Sequence, residues 1–121
     1  MTALIKALER QLDGRPRPTP RVLQFGQGNF LRAFLDWKID LINARGGLDW
    51  GVVIVRSLAR GAAPSLNDQD GLYTVLTRGV DSTGEAVSQP HVVACVRREL
   101  EAGADWLEIL ALARHPDIAV V

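Results

Sequence analysis

The stretch Val22-Leu23-Gln24-Phe25-Gly26-Gln27-Gly28-Asn29-Phe30-Leu31-Arg32-Ala33 constrains this chain more than any other. An apolar run stops at Gly-x-Gly, and an amphipathic helical pattern begins at once. The passage predicts a strand from Arg21 to Phe25, a tight turn, and a helix from Asn29 to Ala44. The opening N–H groups of a helix have no carbonyl one turn back, and the helix dipole adds partial positive charge there. A glycine turn ahead of such a helix end suits an anion, above all the diphosphate of a dinucleotide. Gly26 permits the tight turn, and Gly28 has no Cβ to obstruct phosphate oxygens. Asn29 is placed to cap the helix or to donate to phosphate or ribose. The third glycine of the G-x-G-x-x-G pattern would fall where this chain has Leu31, so the helix is expected to pack farther from its strand.

The rest of the chain completes an α/β pattern. Gly46-Gly47 stops the helix, and Gly51-Val52-Val53-Ile54-Val55 is a β-branched run of the kind found in strands covered on both faces. Strand, helix and strand in this order predict a right-handed crossover and parallel strands. Within the helix, Phe30, Phe34, Trp37 and Leu41, flanked by Leu31, Leu35 and Ile42, form the face expected to turn inward. Arg32, Asp36, Asp40 and Asn43 lie opposite and are expected outward, with Arg32 and Asp36 as an i,i+4 pair. Ser57 to Asp70 reads as a loop. Leu72 to Arg78 and Val87 to Val96 predict an antiparallel hairpin around the turn-rich 79–84 segment. Asp105 to Arg114 predicts a second helix with Trp106, Leu107 and Leu110 inward, and Ile118 to Val121 begins another strand. Ahead of all this, Thr2 to Leu12 predicts a short helix, and alternate prolines make 15–20 a stiff lead-in.

The expected fold is therefore a Rossmann-like α/β dinucleotide-binding domain over 21–121, with a parallel sheet core and an antiparallel hairpin insertion, preceded by an N-terminal segment over 1–20. The last strand is unfinished at Val121, so the domain is expected to be truncated. An open sheet edge and uncovered apolar surface would then fall to a C-terminal domain or another chain to cover.

Composition narrows the function classes. The 121 residues suffice for one domain, and the formal net charge is zero. Nothing electrostatic favours a nucleic acid or an anionic membrane surface, and no apolar run reaches the roughly 18 residues of a membrane span. The N-terminus alternates charged and aliphatic residues, unlike a signal peptide, so a cytoplasmic protein is expected. Cys95 has no second cysteine to pair with. His91 and His115 are too far apart, and too poor in nearby ligands, to suggest a metal site. Lys38 reads as a solvated lysine, Cys95 as a small buried residue, and Trp37, Trp50 and Trp106 as packing residues. Tyr73 lacks a Tyr-x-x-x-Lys context and reads as an anchor. Where the second strand ends, an acidic residue would hold the adenosine ribose; this chain has Arg56. That arginine is either a partner for a 2′-phosphate, a stacking partner for adenine, or a plain solvent-facing side chain. Asp68 or Asp70 in the following loop are further ribose candidates.

Taken together, Leu23 through Phe34, Asp36-Trp37-Lys38-Ile39-Asp40, Val52 through Arg56, Gln69-Asp70-Gly71-Leu72-Tyr73-Thr74 and His115-Pro116-Asp117-Ile118 resemble the long-chain mannitol dehydrogenase family. Within it they look most like the subgroup that interconverts D-tagaturonate and D-altronate. In other branches, acting on fructuronate or mannitol, His tends to follow the phenylalanine of the glycine turn. The resemblance implies an oxidoreductase of hexuronate catabolism with NAD as cofactor, a small sugar acid as substrate, and a dinucleotide-binding domain followed by a mainly helical C-terminal domain. It places the cofactor segment at Leu23, Gln24, Phe25, Gly26, Gln27, Gly28, Asn29, Phe30, Leu31, Arg32, Ala33 and Phe34. A missing third glycine and an arginine in the place of Arg56 are usual there, which favours NAD over NADP. The family's catalytic lysine and its polar helpers lie in the C-terminal domain, so no catalytic residue is expected here. A fructuronate reductase, a mannitol dehydrogenase and a non-catalytic nucleotide-binding module are the alternatives.

Overall fold

The computed structural model describes residues 14–57 and 65–121. The expected helix from Thr2 to Leu12 lies outside the described residues, as does the 58–64 part of the loop after the second strand. Strand β1 (Pro20–Phe25) leads through the glycine turn into a continuous helix over 29–44. That helix is π-wound over Leu31–Asp36 and α-helical over Trp37–Ala44, the part labelled α1. Strand β2 (Gly51–Arg56) follows, then a 3₁₀ turn (Leu66–Gln69), the hairpin strands β3 (Tyr73–Val80) and β4 (Ala86–Val93), strand β5 (Val96–Glu101) and helix α2 (Trp106–Ala113).

Strands β1, β2 and β5 form a parallel sheet in the order β1-β2-β5, while β3 and β4 pair antiparallel in a sheet of their own. The parallel βαβ unit and the hairpin agree with the pattern of the sequence. Two details differ. Val96 does not end the second hairpin strand but opens β5, which pairs with β2. The charged run Val96-Arg97-Arg98-Glu99-Leu100-Glu101 hides this strand from a hydrophobic reading. Of the strand expected to begin at Ile118, Val120 alone among the described residues bridges to Val22, in parallel on the other side of β1.

The sheet is covered on both faces, which is why β2 is buried from end to end. On one face Val22, Val52, Ile54 and Val96 pack with Ile39 of α1, Leu66, Val93 and Cys95, and Trp37, Trp50, Tyr73 and Val75 close around them. On the other, Leu23, Val53, Val55 and Leu100 pack with Ile109 of α2, flanked by Leu112 and Ile118. Alternate residues of β1 and β2 thus serve opposite layers, as the two-residue strand period requires, while a register irregularity at the start of β5 puts Val96 and Leu100 in different layers.

The faces of both helices correct the sequence reading. Asp36 is 0% exposed and Asp40 is also buried, whereas Phe30 (72% exposed), Phe34, Leu35 and Ile42 face outward. In α2, Ile109 is the buried residue, while Trp106 and Leu107, expected inward, are exposed. The reason in the first helix is partner chemistry. Strands β1 and β5 present the buried polar residues Gln24 and Glu99 to it, so its polar side finds hydrogen-bond partners inside. The π winding over Leu31–Asp36 also breaks the 3.6-residue register on which an apolar row is counted.

Two local features tie these layers together. The lead-in is held by its arginines: Arg15 donates to Asp40 (3.2 Å) and to the Val92 carbonyl (2.7 Å), and Arg17 donates to the Arg97 carbonyl. Gly71 has φ +79°, and a Cβ built there would stand 2.3 Å from the Val96 carbonyl oxygen, so only glycine lets this segment lie against β5.

Candidate functional site

The carboxyl ends of parallel strands, beside the helix that follows the first of them, are where open α/β sheets bind ligands. Here that region is the glycine turn. The Gly26 amide donates to the Val55 carbonyl (3.0 Å), which pins the turn to the neighbouring strand. Gly26 has φ +125°, a region L side chains avoid, and a Cβ there would meet Leu31 Cδ1 at 3.2 Å. Leu31 thus occupies the place of the absent third glycine, and the π-wound stretch begins at this residue. The Arg32 amide donates to the Gly28 carbonyl (3.1 Å), so Gly28 stands at the entrance of the helix. The amides of 29–31 have no carbonyl one turn behind them. Gly28, Asn29 and Phe30 are exposed, and a Cβ at Gly28 would have no atom of the described residues within 4 Å. The cradle is therefore open on the side where a diphosphate would approach, and Gly28 leaves room that the fold itself does not use. A dinucleotide diphosphate fits this donor set.

Behind the turn lies a pair of buried polar side chains. Gln24 Nε2 donates to the Gly26 carbonyl (3.2 Å) and to Asp36 Oδ2 (3.1 Å). Asp36 Oδ1 and Gln24 Oε1 have no hydrogen-bond partner among the described residues. Burial pushes the Asp36 carboxyl up to about 6, against the smaller opposing effects of the Gln24 hydrogen bond and the Arg32 charge. A proton on this carboxyl supplies a donor where two acceptors lack one. The expected Arg32–Asp36 surface pair is thus replaced by a buried aspartate bonded to a strand residue.

Arg32 points elsewhere. Its guanidinium donates to Gln27 Oε1 in the turn (3.1 Å) and to Glu99 Oε1 on β5 (3.0 Å). Its carbonyl accepts from the Tyr73 hydroxyl (2.7 Å), and the guanidinium carbon lies 5.9 Å from the Tyr73 ring centre. Tyr73 is the anchor the sequence suggested, and burial pushes its phenol far above the ordinary tyrosine range. Arg56 is not the solvent-facing arginine allowed for at a strand end. It is buried, with its guanidinium 3.5 Å from Glu99 Oε2. Glu99 escapes a reading of the sequence because it sits in a charged run, Arg97-Arg98-Glu99-Leu100-Glu101, that resembles a surface.

The remaining candidates separate from this region. Phe25, Ala33 and Phe34 are exposed beside the turn and the helix, Phe30 stacks on Phe34 (5.1 Å between ring centres), and Lys38 lies over the Phe34 ring (3.7 Å). Leu23 belongs to the α2-side core. Asp70 sits in a left-handed turn and, like Asp68, is exposed. His91 bonds the buried Asp40 (2.6 Å), which also accepts from the Ala94 amide (2.9 Å). That cluster borders a cavity of about 360 Å³ at the amino ends of the strands, lined by Arg15, Asp40, Asn43 and Cys95 among others, far from the glycine turn.

With this geometry in place, the family likeness becomes decisive. Residues 20–121 match the mannitol dehydrogenase Rossmann domain. The chain belongs to the mannitol dehydrogenase family. Among relatives, the altronate oxidoreductase of Cronobacter sakazakii is 50% identical over 101 residues, covering 84% of this chain and 21% of that protein. The altronate oxidoreductase of Pectobacterium carotovorum is 48% identical over 112 residues, covering 93% of this chain and 23% of that protein. The chain therefore spans about a fifth to a quarter of these relatives. Two solved dehydrogenase structures share the fold. The Pseudomonas fluorescens mannitol 2-dehydrogenase, in ternary complex with NAD and D-mannitol, has a TM-score of 0.74 at 22% identity, covering 92% of this chain and 25% of that one. A substrate-free D-sorbitol dehydrogenase has a TM-score of 0.74 at 23% identity, covering 93% of this chain and 25% of that one.

Proposed function

We propose that this chain is the cofactor-binding part of an NAD-dependent oxidoreductase that interconverts D-tagaturonate and D-altronate. One observation carries the cofactor reading: Gly28 stands at an open helix entrance, in a position where the fold would tolerate a side chain but has none. The substrate reading rests on the half-identity to altronate oxidoreductases.

In this reading the amides that open the helix, with Gly26 shaping the turn, hold the diphosphate. Arg32 adds positive charge beside it, and Gln27, bonded to Arg32, stiffens the loop. Gln24 fixes the turn from behind through the Gly26 carbonyl. When bound, NAD(H) supplies the hydride that relates the ketone to the alcohol. The contribution of these residues is to bind and orient it. The proton-transfer groups and most of the sugar-acid pocket belong, in this reading, to a C-terminal domain.

Gly28→Val tests the cofactor half. The structure has room for the side chain, so the melting temperature should hold while NADH affinity, read by fluorescence titration of the complete protein, falls at least about a hundredfold. Unchanged affinity would reject the assignment. Turnover of D-tagaturonate, compared with D-fructuronate and D-fructose, tests the substrate half.

A further inference from the structure

The strand-end arginine carries an inference about cofactor choice. Arg56 closes β2 at the level where a Rossmann strand meets the adenosine ribose, and an arginine there would ordinarily complement a 2′-phosphate. In this fold it is turned inward. Its side chain is 8% exposed, and its guanidinium stands 3.5 Å from a Glu99 carboxylate that is 1% exposed.

The geometry follows from strand register. Glu99 of β5 lies opposite Ile54 of β2, two residues before Arg56 and on the same side of the sheet. The carboxylate is held there by other groups. Arg32 donates to Oε1 (3.0 Å) and the Ser65 hydroxyl to Oε2 (3.2 Å). The Asn67 side chain brackets the Glu99 backbone, accepting from its amide (2.8 Å) and donating to its carbonyl (3.0 Å). The anchor for Arg56 is thus preformed, and it is not at the surface.

We propose that Glu99 is a specificity-determining positioning residue, which draws the Arg56 guanidinium down between β2 and β5 and so withholds it from a 2′-phosphate. This rests on the reading that the glycine turn holds a dinucleotide. The physical reason is charge burial. For Arg56 to swing out to a phosphate it must leave a buried carboxylate with one cation fewer, which is costly. The ribose diol of NAD makes no such demand. Remove the carboxylate, and the buried guanidinium loses the Glu99 counter-charge and gains from meeting a phosphate instead.

The test is a fluorescence titration of the complete protein with NADH and NADPH, read as the ratio of the two affinities. The ratio is the informative quantity, because Arg32 also loses Glu99 and acts on both cofactors alike. Glu99→Gln should raise NADPH affinity relative to NADH by about tenfold, the worth of one charge-assisted hydrogen bond. The double variant Glu99→Gln with Arg56→Gln should return the ratio to that of the wild type. An unmoved ratio in Glu99→Gln, or a ratio that stays raised in the double variant, overturns the proposal. If thermal melting shows that Glu99→Gln does not fold, Arg56→Gln decides. Its ratio should equal the wild type's, and a selective loss of NADPH affinity overturns the proposal. Wild-type protein that binds neither dinucleotide removes the glycine-turn reading, and this one with it.

Discussion

Replacing Asp36 by asparagine should make the protein more stable at pH 8 and leave it nearly unchanged at pH 4. Asp36 is completely buried, receives one hydrogen bond from Gln24 Nε2, and has a second oxygen without a partner among the described residues. Burial raises its pKa from the 3.8 of a solvated aspartate to about 6. The folded state therefore holds this proton more tightly than the unfolded chain does. Its contribution to stability is fully present below pH 3.8 and is lost as pH rises through about 6. Above that, ionising the buried carboxyl costs about 3 kcal/mol, because each tenfold gain in proton affinity is worth about 1.4 kcal/mol. Asparagine copies the protonated acid. Its carbonyl accepts from Gln24 Nε2, its amide puts a neutral donor group in place of the Oδ1 that has no partner among the described residues, and it does not ionise. Urea unfolding at pH 4, 5, 6, 7 and 8, with the two proteins side by side, isolates the Asp36 contribution from every other titrating group. The difference should grow from about 0.5 kcal/mol at pH 4 to roughly 3 kcal/mol at pH 8, with most of the rise complete by pH 6. Parallel pH profiles, or an asparagine variant that is the less stable of the two at pH 8, would refute the account of the Gln24–Asp36 pair.

Two more substitutions probe how the layers are joined. Gly71→Ala combines a positive φ with a backbone clash against Val96, so it should cost roughly 3–5 kcal/mol, measured by chemical unfolding. A cost below about 1 kcal/mol would show that the 66–71 segment is not held against β5 as described. Asp40→Ala strips the shared acceptor from Arg15, His91 and the Ala94 amide, and a loss of about 3–5 kcal/mol is expected from the groups left behind. Thermal unfolding within about 1–2 °C of wild type would mean that the Asp40 cluster contributes little, as exposed ion pairs do.

The parts legible in the sequence share one property: each was written in a local pattern. The β-branched run of β2 identified a strand covered on both faces, and it is buried along its whole length. The glycine turn between an apolar run and a helical pattern identified a βαβ unit, and β1 and β2 are parallel. The turn residues at 79–84 identified the hairpin. Harder to read were the residues whose environment comes from distant parts of the chain. Glu99 sits in a charged run, and only the pairing of β5 with β2 places it beside Arg32 and Arg56. The inward turn of Asp36 and Asp40 could not be read from a helical wheel, which separates two faces without saying which one meets the sheet.

By itself, the sequence determined that an apolar strand would end in two glycines and hand over to a helix whose first amides are free to meet an anion. It determined a parallel βαβ unit with a hairpin beyond it, because turn geometry and side-chain period act over a few residues. The tertiary structure alone decided which helix face is inside, which strand completes the sheet, and that Arg56 is bound to Glu99 rather than to solvent. Those outcomes turn on groups 43 and 67 positions apart, as Arg56 and Arg32 are from Glu99, and a buried charge is stable only where the fold brings its counter-charge to it.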